Sequence, residues 1–111
     1  MTFARLWCGR ALPKNASDYA AHVNDTVFPS LRGMRGYRGA QLLCRTIDER
    51  IEFLAVTYWS QLDDIRQFAG ADIEVAKIEP RAKELLSDYD PFARHFELIH
   101  TADDPDSAAG N

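Results

Sequence analysis

The chain has 111 residues, 46% of them hydrophobic and 27% charged, the composition of a globular protein with enough residues for one core and not two. The 17 acidic against 13 basic residues leave a net charge of -4, which repels a polyphosphate and sets nucleic acid aside as a partner. No apolar run nears the roughly 18 residues of a membrane span, and the N-terminus opens on strand-like sequence without a charged leader, so the expectation is a cytoplasmic protein with no membrane partner.

Taken in chain order, Phe3 to Gly9 alternates Phe3, Arg5 and Trp7 with Ala4, Leu6 and Cys8, which predicts a first strand with apolar groups on both faces. Pro13-Lys14-Asn15 ends it, and Asn15 followed by Asp18 marks a helix start with Asn15 as the cap. Tyr19, His22, Val23, Thr26 and Val27 then recur along one helical stripe. Pro29 ends or kinks that helix near Phe28, with a short resumption through Leu31 and a cap at Gly33.

Tyr37 to Thr46 and Ile51 to Trp59 read as two strands of a hairpin joined by Ile47-Asp48-Glu49-Arg50. Both faces of the later strand are apolar, since Phe53, Ala55 and Trp59 alternate with Leu54, Val56 and Tyr58; a sheet with one wet face would alternate cleanly instead. Ser60 with Asp63 and Asp64 marks a second helix start, carried by Leu62, Ile65, Phe68 and Ala69 and stopped by Gly70. Asp72 to Ala76 reads as a short helical turn, Pro80 to Tyr89 as a helix broken by Asp90-Pro91, and His95 to His100 as the last strand.

The order strand, helix, strand, strand, helices, strand is the β-α-β-β-α-β pattern of an α+β, ferredoxin-like fold. It predicts a four-stranded antiparallel sheet with helices on one face, in a domain over residues 1–100 followed by a mobile polar tail over 101–111. The third strand then lies between the first and second, which keeps Cys8 and Cys44 roughly 9–10 Å apart and free of an intrachain disulfide. The other face of the sheet has no cover from its own chain. A second copy packed sheet to sheet is the simplest one, so a homodimer is expected.

Several residues are candidates for chemistry. His95, inside the last strand, and His22, on the stripe shared with Tyr19, are the candidate proton carriers. Tyr19 and Tyr89 project from helix faces as candidate contacts for a ligand. Arg38 stands at the mouth of the second strand in the run Arg32, Arg35, Arg38, which alternates with Gly33, Gly36 and Gly39 and could receive an anion. The spacing is no dinucleotide fingerprint. Trp59 combines bulk with an indole donor suited to orienting an aromatic ligand.

With the elements in this order, Trp7 and Gly9, Gly36 to Gly39, Glu52-Phe53-Leu54 leading to Trp59-Ser60, Ile65 with Phe68-Ala69-Gly70 and Asp72, and His95-Phe96-Glu97 resemble the antibiotic-biosynthesis-monooxygenase-like family of dimeric α+β barrels. The resemblance implies a cofactor-independent monooxygenase that oxidises a small aromatic or quinol-type molecule with O2 in a pocket between sheet and helices. Neither cofactor nor metal is then expected, and Trp59 falls on the position of the family's pocket tryptophan. Family members that degrade haem use a first-strand Asn, a third-strand Trp and an iron-ligating His in the second helical region. Here Phe3 to Gly9 holds no Asn, and no His occurs between Ser60 and Arg94. The rival reading is a non-catalytic ligand-binding or stress-response dimer, with haem degradation third.

Overall fold

The computed structural model describes residues 1–102, so nearly all of the expected tail over 101–111 lies outside the described residues. Its elements are β1 (Phe3–Ala11), α1 (Pro13–His22), a π-helical turn (Val23–Val27), α2 (Phe28–Leu31), β2 (Tyr37–Ile47), β3 (Arg50–Trp59), a 3-10 turn (Leu62–Ile65), α3 (Arg66–Ala69), α4 (Pro80–Leu85), β4 (Asp88–Tyr89) and β5 (Arg94–Glu97). The strands form one antiparallel sheet in the order β2-β3-β1, and β1's other edge pairs with β4 near Gly9 and with β5 near Phe3. This is the ferredoxin-like α+β fold, with the fourth sheet position filled by two short strands. With β3 between them, Cys8 and Cys44 are both free.

Register assigns the faces. Arg5 pairs with Thr57, Trp7 with Ala55 and Gly9 with Phe53, and these residues look toward the helices. Leu6, Cys8, Leu54 and Val56 alternate to the open face, joined by Leu43 on β2 and Phe96 on β5. Under the helices lie two apolar clusters, one around Tyr19, Val23, Phe53, Ala82 and Leu85, the other around Leu31, Trp59 and Ile65. No helix among the described residues is long and apolar enough to cross a membrane.

Several expected boundaries move, each for a physical reason. α1 begins at Pro13, not after an Asn15 cap, because proline needs no N–H in a first helical turn, and no side chain caps the start. Between α1 and α2 the Phe28 N–H bonds the carbonyl of Val23, five residues back. That widened turn lets Pro29, which has no N–H to give, enter the helix without a break. Likewise α2 ends at Leu31 with Arg32, not Gly33, at its C-terminal cap.

The helix expected from Ser60 is a 3-10 turn followed by one α-turn, with extended Gln61 before it and no side-chain cap; Gly70, at φ +94°, stops it as expected. Asp72 to Ala76 is not helical: Val75 bridges Phe92 in antiparallel fashion. α4 ends at Leu85, and Tyr89, expected on a helix, lies on β4 opposite Gly9. β5 stops at Glu97, short of His100.

Candidate functional site

A cavity of about 70 Å³ lies between the helices and the sheet. Its floor is two adjacent cross-strand pairs, Arg5–Thr57 and Trp7–Ala55. The small side chains of Ala55 and Thr57 leave the space open. Tyr19, His22, Val23, Val27, Phe28 and Leu31 make one wall, and Phe68, Lys77, Ile78, Glu79 and Ala82 the other. The π-turn builds the first wall. It brings residues five apart, His22 with Val27 and Val23 with Phe28, onto the same side, so the lining continues across the proline.

Of the six residues singled out in the sequence, His22 and Tyr19 line this cavity. The Nε2 of His22 is buried and has no hydrogen-bond partner. Most buried polar atoms are paired, and leaving one unmet costs on the order of 1–3 kcal/mol. Tyr19 is almost fully buried, packed at 4.8 Å on Phe53, and burial pushes its phenol up to about 12. It stays protonated at neutral pH.

Two more stand one layer behind. Trp59 is wholly buried and donates its indole N–H to Thr57 Oγ1 at 2.8 Å, so it fixes a cavity hydroxyl without itself lining the space. His95 faces Arg5 across β1 and β5, and its Nε2 accepts from Arg5 Nη1 at 2.9 Å. Because arginine only donates, that nitrogen is unprotonated. Burial, and after it the Arg5 charge, push the His95 imidazole below its ordinary value.

Arg38 and Tyr89 lie elsewhere. Arg38 is exposed beside the irregularity between Tyr37 and Gly39 and donates to the Met1 carbonyl and to Thr2 Oγ1. Tyr89 packs on the outer side of Trp7, ring centroids 6.2 Å apart.

Arg5 is the residue the sequence reading passed over. It is only 4% exposed, it forms part of the cavity floor, and no carboxylate among the described residues pairs with it. Its guanidinium donates to the carbonyls of Ile73 and Val75, and lies 5.9 Å from the Phe68 ring centre. Burial alone lowers it to about 10. The available signal was a charged residue on the same strand face as Phe3 and Trp7.

No protein-family model matches the chain, and no curated protein does. Among solved structures, a protein from Bordetella bronchiseptica assigned as an antibiotic biosynthesis monooxygenase is 18% identical over 89% of this chain and 98% of its own, with a TM-score of 0.61. The haem-degrader MhuD from Mycobacterium tuberculosis, solved with two haems in its active site, is 15% identical over 91% of this chain and 99% of its own, with a TM-score of 0.58. SnoaB, a cofactor-independent oxygenase from Streptomyces nogalater, is 18% identical over 90% of this chain and 93% of its own, with a TM-score of 0.50. The chain thus has the fold of the antibiotic-biosynthesis-monooxygenase-like proteins.

Proposed function

We propose that the protein is a cofactor-independent monooxygenase that oxidises a small phenol or quinol with O2 in the cavity between sheet and helices, and that it works as a homodimer. The observation that carries this reading is the buried, unpartnered Nε2 of His22, a residue that lines a mainly apolar cavity. Imidazole is the side chain that exchanges protons near neutral pH, and an unpaired nitrogen on a residue that lines the cavity is the atom to take the proton of a bound hydroxyl. Tyr19, held protonated, can orient that hydroxyl but not deprotonate it. His22 and not His95 is therefore assigned the proton, since the Nε2 of His95 is already engaged by Arg5.

The chemistry balances without a reductant. Transfer of the phenolic proton to His22 leaves an electron-rich ring that reduces O2, and a carbon–oxygen bond forms at a ring C–H carbon. The imidazole returns its proton to the outer oxygen, which leaves with the ring hydrogen as water. Phenol and O2 thus become quinone and water, the substrate supplying all four electrons. The apolar walls oppose ionisation of the phenol, but once its proton is on His22 they leave the phenolate without solvating water and so a stronger reductant of O2.

Haem does not fit this arrangement. The wall made by Phe68, Lys77, Ile78, Glu79 and Ala82 carries no histidine to ligate an iron, and β1 carries no Asn. The homodimer rests on the open sheet face, where Leu43 and Phe96 are 49% and 52% exposed around the half-buried row of Leu6, Cys8 and Leu54; a second such face would cover it.

Oxygen uptake against a panel of phenols and hydroquinones tests the activity, run beside His22→Leu. Uptake with at least one substrate and a loss of about 10²-fold or more in the variant is expected. The same substitution removes an unmet buried polar atom, so it should leave the protein as stable as before or raise stability by about 1 kcal/mol. Saturable binding with no uptake anywhere in the panel would identify a binding module instead.

A further inference from the structure

The Arg5 guanidinium has five N–H donors. Three are used: Nη1 donates to the Ile73 carbonyl and to His95 Nε2, and Nη2 to the Val75 carbonyl. Its Nε–H and the second Nη2–H have no protein acceptor among the described residues. Nε–H and Nη2–H are the donors a guanidinium offers side-on to a carboxylate. A buried charge without a counter-ion is unfavourable, and a carboxylate is the partner that would relieve it. Among the described residues, the one acidic side chain bordering the cavity is Glu79, half-buried on the far wall beside exposed Lys77, and it forms no ion pair with Arg5.

The remaining lining sets the rest of the ligand. Trp7, Tyr19 and Phe28 line the cavity with aromatic side chains, which suit a ring. A space of about 70 Å³, below the roughly 150 Å³ that takes a benzene ring, favours the smallest monocyclic ligand and requires the walls to give on binding. The unpartnered Nε2 of His22, the Tyr19 hydroxyl and the Thr57 hydroxyl, held by Trp59, are the polar groups of the lining left to meet a ring substituent.

We propose that the cavity recognises a monocyclic hydroxylated aromatic acid, with its carboxylate side-on against Arg5 and its hydroxyl toward His22. This rests on the cavity being the ligand site, and it narrows the substrate of the proposed oxidation to an anion. His95 is then a positioning residue: it holds Nη1 and leaves the other edge of the guanidinium for the ligand.

The test needs no turnover. The full chain, labelled with 15N and kept under argon, is titrated by NMR with 4-hydroxybenzoate and with its neutral counterpart 4-hydroxybenzyl alcohol. Expected is binding of the acid at least about tenfold tighter than the alcohol, with shifts centred on the amides of Ala55 and Thr57. Arg5→Gln should bring the acid to the affinity of the alcohol, and Arg38→Ala, at an exposed arginine outside the cavity lining, should leave the preference intact.

Equal affinities for the two probes, or a preference lost in Arg38→Ala, would overturn the anion assignment while leaving the cavity as the ligand site. Failure of both probes to shift the cavity amides would overturn the two together. Should Arg5→Gln fail to fold, the comparison of acid with alcohol and the Arg38→Ala arm still decide.

Discussion

Arg5 and His95 form a cation–imidazole contact in which only one partner can carry charge. Protonating His95 would remove the lone pair that accepts from Arg5 and place two positive groups 2.9 Å apart. Its folded pKa accordingly lies below the ordinary 6.5, through burial first and the Arg5 charge second. A histidine with a depressed folded pKa resists the proton that the unfolded chain accepts. Its contribution is therefore fully present above the ordinary histidine range and declines as pH falls through that value toward the folded one. Thermal unfolding followed from about pH 7.5 down to about pH 5 should show a falling midpoint, and His95→Gln, which keeps an acceptor for Arg5, should flatten that part of the profile. An unchanged profile in the variant would remove His95 from the account.

At the scale of elements, the β2–β3 hairpin is closed by Asp48 and Glu49, both at positive φ, 49° and 63°. Two-residue hairpin turns of this kind favour Asn-Gly, because only glycine enters the left-handed region without a Cβ penalty. Glu49→Gly should thus raise stability by about 1 kcal/mol in urea unfolding; a loss of stability would show that the Glu49 side chain matters more than its backbone. This hairpin was legible in the sequence, as were β1, the stop at Gly70 and the strand order, because alternation and turn residues are local signals. The π-turn was not. Its cause is local, Pro29 without an N–H, but its form depends on how the helix packs over the sheet. Tyr89 was misplaced for a similar reason: Pro80 to Leu85 is helical by its own pattern, yet the Ser87 N–H is taken by the Arg10 carbonyl and Asp88 and Tyr89 pair with β1. Within the site, His22 and Tyr19 were readable from a helical stripe. Arg5 was not, because its role depends on the absence of a carboxylate from segments far along the chain.

For the molecule as a whole, the two faces of the sheet have different fates. The helix-facing side carries both apolar clusters with the cavity between them, lined by Tyr19, Val23 and Ala82 of one and Leu31 of the other. A space left between two packed clusters costs stability and suits binding. The open side is apolar along β1 and β3, and a charge placed there should be tolerated by a lone subunit but not by a face-to-face pair. Sedimentation of Leu54→Lys should therefore give a folded monomer of about 12.6 kDa where the unchanged chain gives a dimer; a monomer in both would end the proposed assembly. The central claim is that oxygen chemistry occurs in the cavity at the expense of the substrate alone. Turnover under 18O2 with no added reductant, followed by mass spectrometry, tests it most directly: the account predicts one labelled oxygen atom in each quinone and none formed by His22→Leu, and a product without label, or labelled equally in both proteins, would contradict it.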